Sequence, residues 1–399
     1  MEAPVDTVPM PLPAIGADAA DAIAAAAVPQ AKVATPTQSV PLAFTGTGSE
    51  YFRIWVVNAV LTIATLGIYS AWAKVRKASY FARNTRLLGD GFEFTANPWA
   101  ILRGRVLALG LLGFYTFAYD FSLTLGLVAT AVLLAAAPLL FASATRFRLR
   151  NTRWRALRFD FTASKAAAYR SALVVIAVWI SSTVIGAFGG LDSAVFAGFA
   201  AVLLMPWMHH RMKAFQHRHA WFAGHASSFR SALGSFYATY AIAVVILLVA
   251  AAVAGFGAAG VSLALRSLPL ARGADPKIIG FLIGAIVGAL GYLASWPYFA
   301  SRIQRIVWTR TALGPFQFET TIAFRTLLPI ALRNFALLLV TAGLYWPFAS
   351  IAWARYRIGC MSVVSVESPE AAVATLDPGP ARQAAGEGAV DMFGIDIGW

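Results

Sequence analysis

The chain has 399 residues, 59% of them hydrophobic and only 13% charged, and its mean hydropathy is +0.67. Soluble globular domains carry about 25% charged residues, so water is excluded as the solvent for most of this surface. The net charge of +14 would suit nucleic acid in a soluble protein, but its distribution excludes that partner. Of the 32 Lys and Arg, 26 lie in five short segments, 74–105, 146–170, 211–230, 302–333 and 355–357, whose only acids are Asp90, Glu93, Asp160 and Glu319. Basic clusters between long apolar stretches are the positive-inside pattern of a multi-pass membrane protein, reinforced by an anionic inner leaflet.

Residues 1–43 are rich in Ala and Pro, begin with Glu2 and Asp6, and contain one base, Lys32. A secretory signal needs a basic start, so a disordered tail is expected there. Eight apolar stretches follow: 54–72, 106–122, 123–142, 171–189, 193–208, 232–258, 278–300 and 334–353. Each is close to the roughly 20 residues that cross a bilayer as helix. Barrel strands would alternate apolar and polar residues, and these runs do not. The middle six pair as hairpins whose outer turns hold Asp120 and Asp192, with a longer connection at 259–277. Residues 362–399 form a second expected disordered tail, acidic in character.

The first and last stretches resemble each other. Asn58 precedes Gly67 by nine residues, as Asn334 precedes Gly343, and Tyr69 and Tyr345 follow two residues later. Two readings stay open. Each segment either crosses once or breaks at its glycine and returns as a re-entrant pair, with Gly67 and Gly343 as the helix breaks. Repeat logic and positive-inside favour the return. Length favours a crossing, since 19 residues of helix make about 28 Å, and for 54–72 a crossing is the expectation.

Internal repetition is the strongest architectural signal. Phe44/Arg53, Phe94/Arg103 and Phe161/Arg170 share one spacing, and Asn84-Thr85 and Asn151-Thr152 lead into Phe92-Glu93-Phe94 and Phe159-Asp160-Phe161 at another. A fourth copy runs from Thr309-Arg310 to Phe316-Gln317-Phe318. A fifth, degraded, aligns Phe229-Arg230-Ser231 with Tyr169-Arg170-Ser171 and puts Trp221 where Phe161 would be. Alternation in Arg146–Arg153 and the Gly89-Asp90-Gly91 turn predict a short cytoplasmic β-hairpin in each loop. Arg76, Arg83, Arg86, Arg150, Arg153 and Arg310 are the candidates for contacts to lipid headgroups or neighbouring loops.

No residue pattern predicts a reaction. Cys360 is the single cysteine, which excludes an intramolecular disulfide and any multi-cysteine metal site. His209, His210, His217, His219 and His225 share one loop with three bases and no acid, a headgroup-level cluster rather than a metal motif. The four loop acids are spread over separate repeats, where turn or pairing roles suffice. Catalytic, cofactor and metal sites are therefore expected to be none.

The run "FTGTGSEYFRIWVVNAVLTIATLGIYSAWAKVRKASYFARNTRLLGDGFEF" resembles the start of the YjgN family of bacterial inner-membrane proteins, and the likeness extends over about 44–361. The third loop departs, with "HHRMKAFQHRHAWFAGH" in place of the Asn-Thr and Phe-x-Phe pattern. The resemblance implies a polytopic inner-membrane protein and supplies no catalytic residue.

The expectation is thus an all-α polytopic membrane protein with about 8 membrane segments in pseudo-repeats, its basic loops cytoplasmic. It is not an enzyme. Substrate permeation or lipid handling is the leading function. The alternative is a non-enzymatic scaffold that holds anionic lipid or a cytoplasmic partner through the loops; membrane lipids are the expected partners, with no nucleic acid.

Overall fold

The computed structural model describes residues 38–365 except 156, 189 and 267–275. The chain is mostly helical and repeats one unit five times: an opening strand, two helices and a closing strand. The first unit is β2 (Ala43–Phe44), α1 (Gly48–Ala64), α2 (Ser70–Asn84) and β3 (Thr85–Leu87), preceded by β1 (Gln38–Pro41). The second is β4 (Asp90–Phe94), α3 (Pro98–Phe121), α4 (Leu123–Arg150) and β5 (Thr152–Trp154). The third is β6 (Leu157–Phe161), α5 (Lys165–Phe188), α6 (Gly190–Arg218) and β7 (Ala220–Phe222). The fourth is β8 (His225–Phe229), α7 (Leu233–Arg266), α8 (Pro276–Trp308) and β9 (Thr311–Leu313). The fifth is β10 (Phe316–Thr320), α9 (Phe324–Val340), α10 (Trp346–Gly359) and β11 (Met361–Ser365).

Within every unit the opening and closing strands pair antiparallel in one register: Phe44 with Thr85, Phe94 with Thr152, Phe161 with Ala220, Phe229 with Thr311 and Thr320 with Met361. Successive units join through two-residue hairpins. Their turns put Leu88, Gly89, Arg155, Ala223, Gly224 and Gly314 at positive φ, the twist that suits a tight hairpin. One backbone hydrogen bond recurs five times at 2.9–3.0 Å: the N–H of Thr45, Thr95, Thr162, Arg230 and Thr321 donates to the carbonyl of Asn84, Asn151, His219, Arg310 and Cys360.

The sheet runs β1-β11-β10-β9-β8-β7-β6-β5-β4-β3-β2. Only Leu42 separates β1 from β2, so the two are one strand whose halves pair to opposite ends of the sheet. β1 lies on β11 with Val40 opposite Val363, β2 lies on β3, and the Leu42 N–H donates to the Met361 carbonyl at 2.8 Å. The ring is therefore closed, and its fifth hairpin is assembled from the two ends of the membrane domain. Closure removes the exposed edges that would invite strand addition. Small closed barrels are filled by their own side chains, and this ring is packed with Trp154, Leu157, Phe222, Leu313, Phe316 and Val363, with Leu42, Leu87, Phe92, Phe159 and Phe318 against them.

The helices stand on this ring as five hairpins, joined in sequence around it because the second helix of each unit packs on the first helix of the next; α10 closes the circle on α1. A second repeat signal explains their heights. Pro138, Pro206, Pro297 and Pro347 all lie fourteen residues before a closing strand, with buried Ala71 at that position in the first unit. In α4, α6 and α8 the helix continues above the proline; in the first and fifth units the second helix begins at that level. At about 1.5 Å per residue, α1 and α9 rise about 25 Å from the ring while α3, α5 and α7 rise about 36 to 51 Å. The upper part of the crown thus contains units two, three and four only, and is open over the two adjacent short units.

Four points differ from the sequence expectation. The strands form one closed ring, so the fold is helical hairpins on a β-ring rather than all-α. Residues 54–72 do not make one crossing: the chain turns at Leu66-Gly67 and returns, and it does the same at Ala342-Gly343. The apolar run had combined the second half of α1, the turn and the start of α2. Residues 38–43 and 362–365, assigned to the tails, are ring strands; the rest of both tails lies outside the described residues. Finally, the fourth and fifth copies shift in register, because Phe229, not Trp221, is the counterpart of Phe161, and Thr311 rather than Thr309 is the counterpart of Thr152.

Candidate functional site

Immediately above the filled ring, the last turns of four second helices bring polar side chains together. Thr145, Lys213 and Gln304 occupy the position seven residues before a closing strand; Arg148, Gln216 and Arg357 occupy the position four before it. Thr145, Arg148, Gln216 and His217 line one cavity of about 20 Å³, room for about one water. His217 Nδ1 meets the Thr311 hydroxyl at 3.1 Å, its ring lies edge-on to Trp308 with centroids 5.4 Å apart, and its carbonyl accepts from Ser227 Oγ. On the next pair of helices Arg357 Nε donates to Gln304 Oε1, Gln304 Nε2 donates back to the Arg357 carbonyl at 3.2 Å, and the guanidinium lies over Trp353.

This girdle holds Arg148, Lys213 and Arg357 and no carboxylate. Lys213 is 4% exposed and Gln304 5%, and Arg148 Nε is buried without a hydrogen-bond partner. His217 lies nine residues past the apolar run 193–208. Burial first, and the Lys213 charge second, push its pKa down to about 3, so the imidazole is neutral at physiological pH. The unmatched Arg148 Nε–H is a donor that a water or an anion can meet.

A set of arginines fastens the units. Arg146 Nη2 donates to the Ala163 carbonyl at 2.6 Å, Arg305 Nη2 to that of Ile322 at 2.7 Å and Arg355 Nη2 to that of Gly46 at 2.9 Å. All three sit six residues before a closing strand, and all three carbonyls sit two residues after an opening strand. From the third unit His210 takes this task one turn farther from the closing strand, its Nε2 accepting from the Ala232 N–H of the fourth unit at 3.3 Å.

The predicted loop arginines are scattered around the ring. Arg76 donates to Tyr69 Oη at 3.0 Å and reaches Asn58 Oδ1 at 3.5 Å. Arg83 is in the last turn of α2, where its carbonyl approaches so close to Gly91 that a Cβ there would lie 2.6 Å away. Arg86 faces outward from β3 opposite Gly91. Arg150 is ion-paired to Asp160 at 2.6 Å, and Arg153 lies across β5 from Glu93 and Arg158. Arg310 Nη1 donates to the Ser231 carbonyl at 2.7 Å. Arg150 and Arg310 thus brace hairpins. The two break glycines lie in neighbouring units, which meet through Phe52 and Phe348 with ring centroids 5.7 Å apart.

The histidines are dispersed among separate partners. His209 meets Tyr240 Oη at 3.1 Å and stacks on Phe299, His219 contacts the Phe215 carbonyl, and His225 the Ala223 carbonyl. Among the described residues no three His, Cys, Asp or Glu gather as a metal site. The girdle was not found by the sequence reading. The proline register would have revealed it, by superposing Thr145, Lys213 and Gln304 in otherwise dissimilar helices.

Among the described residues, four helical segments are long and apolar enough to cross a membrane: Pro98–Phe121, Leu123–Arg150, Leu233–Val261 and Gly280–Trp308. Comparison with known proteins agrees. Over 178 residues the chain is 33% identical to Inner membrane protein YjgN of Salmonella typhimurium, covering 41% of this chain and 44% of that one. Over 128 residues it is 35% identical to the protein of that name from Escherichia coli O157:H7, and over 130 residues 35% identical to that of strain K12, covering 30% of this chain and 31% of each relative. The chain thus aligns with less than half the length of these relatives. No solved structure matches. Apolar helices and relatives together make this an integral membrane protein, of inner-membrane type. Residues 39–392 match the family described as bacterial protein of unknown function, DUF898, and the chain belongs to that family.

Proposed function

We propose that the chain is a non-enzymatic lipid-handling protein of the inner membrane. The β-ring lies on the cytoplasmic face, six helices cross and the two short pairs re-enter. Lys and Arg concentrate at the ring end of the units, whereas the far turns of the second and third units carry Asp120 and Asp192; the far connection of the fourth, with Arg266, Arg272 and Lys277, is outnumbered, which supports this orientation. The tips of the short pairs support re-entry: Leu66 is 95% exposed and Val340 84%, and Ile63, Ile68, Leu339 and Leu344 are exposed beside them. Apolar tips of this kind suit hydrocarbon rather than water, and a rise of about 25 Å from a ring outside the bilayer ends short of the opposite face.

One observation carries the functional reading: the crown is open to the side over two adjacent short units and closed below by the filled ring. An aqueous path along the axis would meet the apolar plug. A lipid could enter sideways, with chains among the exposed apolar faces of α7 and α8 and its anionic head towards the girdle.

The test is transbilayer exchange of a headgroup-labelled phosphatidylglycerol in liposomes containing the purified protein. Exchange faster than in empty liposomes is expected, with most of the gain lost in Leu66→Glu, which places a charge in the opening at a cost of roughly 2 to 3 kcal/mol to a lipid-facing site. Binding of anionic lipid with no acceleration would establish the scaffold alternative instead.

A further inference from the structure

A second basic site lies outside the girdle, at the joint between the fourth and fifth units. There a groove of about 310 Å³ is lined by Ser301, Arg302, Arg305, Ile322, Ala323, Phe324 and Arg325. Among the described residues three arginines line it and no Asp or Glu does. Arg302 lies two residues past the apolar run 278–300, and Arg325 stands at the start of α9, which puts the groove at the level where hydrocarbon gives way to headgroups.

The repeat makes the groove distinctive. The position nine residues before the closing strand holds Arg76, Arg211 and Arg302 in three units. Arg76 is engaged by Tyr69 and Asn58, and Arg211 donates to the Arg170 carbonyl at 3.0 Å and lies over Trp207. Arg302 Nε instead is buried with no hydrogen-bond partner. A buried donor left unmatched costs free energy, which a ligand acceptor would recover. Arg305 commits one N–H to the Ile322 carbonyl and keeps further donors on its exposed edge. Arg325 is exposed beside it.

We infer that this groove binds a phosphate group, and that the phosphate is the headgroup of an anionic phospholipid docked at the joint. Planar guanidiniums converging on one tetrahedral oxyanion give paired charge-assisted hydrogen bonds. The apolar wall of α8 directly above would receive the acyl chains. The site is separate from the girdle and does not require that lipid crosses the bilayer.

The experiment uses the full chain in zwitterionic nanodiscs and detergent, titrated with dioctanoyl-phosphatidylglycerol and, separately, with inorganic phosphate. Arg302→Gln/Arg325→Gln is the variant, with Arg325→Gln alone as a milder one; Arg305 is left in place because it fastens the joint. Saturable lipid binding is expected, weakened about tenfold or more in the double variant and less in the single, while both variants elute as the wild type does. Equal, arginine-dependent binding of inorganic phosphate would keep the phosphate site but make a free anion its ligand, overturning the lipid assignment. Lipid affinity unchanged in both variants would overturn the site altogether.

Discussion

Arg355 is the residue on which the closure of the ring turns. Its guanidinium donates to the Gly46 carbonyl across the only joint that chain connectivity does not hold. Arg146 makes the equivalent bond inside the chain, between units that a hairpin already links. A hydrogen bond from a charged donor contributes about 1 to 3 kcal/mol, and Arg355 is exposed enough to sit at the lower end. Arg355→Ala is therefore expected to cost about 1 to 2 kcal/mol, with a specific consequence. Limited proteolysis should cut at 38–47 faster than in the wild type, whereas Arg146→Ala should leave that segment protected at a similar loss of thermal stability. Equal protection in both variants would mean that strand pairing alone holds the seam.

At the element scale, the two short helical pairs share a turn down to single hydrogen bonds. Thr65 and Thr341 each donate to the carbonyl four residues back at 2.7 Å and accept from the N–H of Tyr69 and Tyr345. Leu66 and Ala342 take φ of 49° and 47°, and Gly67 and Gly343 take 91° and 90°. A side chain at Gly343 would meet nothing within 4 Å, so its penalty is backbone strain alone, about 1 to 2 kcal/mol. Gly343→Ala should lower the melting midpoint, while Gly110→Ala, also with open space around it but inside α3, should leave stability unchanged or increase it by up to about 1 kcal/mol and so hold or raise the midpoint. A fall in both would point to lipid packing rather than φ as the constraint. The matching Asn-Gly-Tyr spacing of these segments was legible in the sequence, since it recurs at identical intervals. Their return was half legible: repeat logic and the positive-inside pattern favoured it, but hydropathy cannot distinguish 19 apolar residues of one helix from parts of two helices joined by a left-handed turn. The same limit hid the register of the later repeats. Phe229 and Thr311 sit in loops whose aromatic and Asn-Thr landmarks are replaced, so their counterparts emerge from the proline register and the backbone pairing instead.

For the whole molecule, the closed ring makes the position of the chain ends a matter of connectivity rather than of structure. The strand 38–44 holds the register of every other opening strand, with Val40 opposite Val363 as Asp90 is opposite Leu87 and Phe316 opposite Leu313. A hairpin of the kind found at the other four joints could therefore connect β11 to β1. The natural place to open the chain instead is the tight connection at Ser122, which lies between α3 and α4 at the end farthest from the ring. A permuted chain that begins at Leu123, joins Ser365 to Gln38 through a short Asn-Gly linker and ends at Ser122 retains every strand pair and every unit joint. Such a chain is expected to insert, to remain monodisperse and to melt within a few degrees of the wild type. Deleting residues 38–44 from the unpermuted chain is the opposite case. It leaves β3 and β11 as open edges and exposes the Phe92–Trp154–Phe222 plug, so aggregation or strand-exchanged dimers should appear on size exclusion. If the permuted chain failed while the deletion behaved as a monomer, the ring would not be the unit that organises the helices, and the membrane hairpins would have to pack without it.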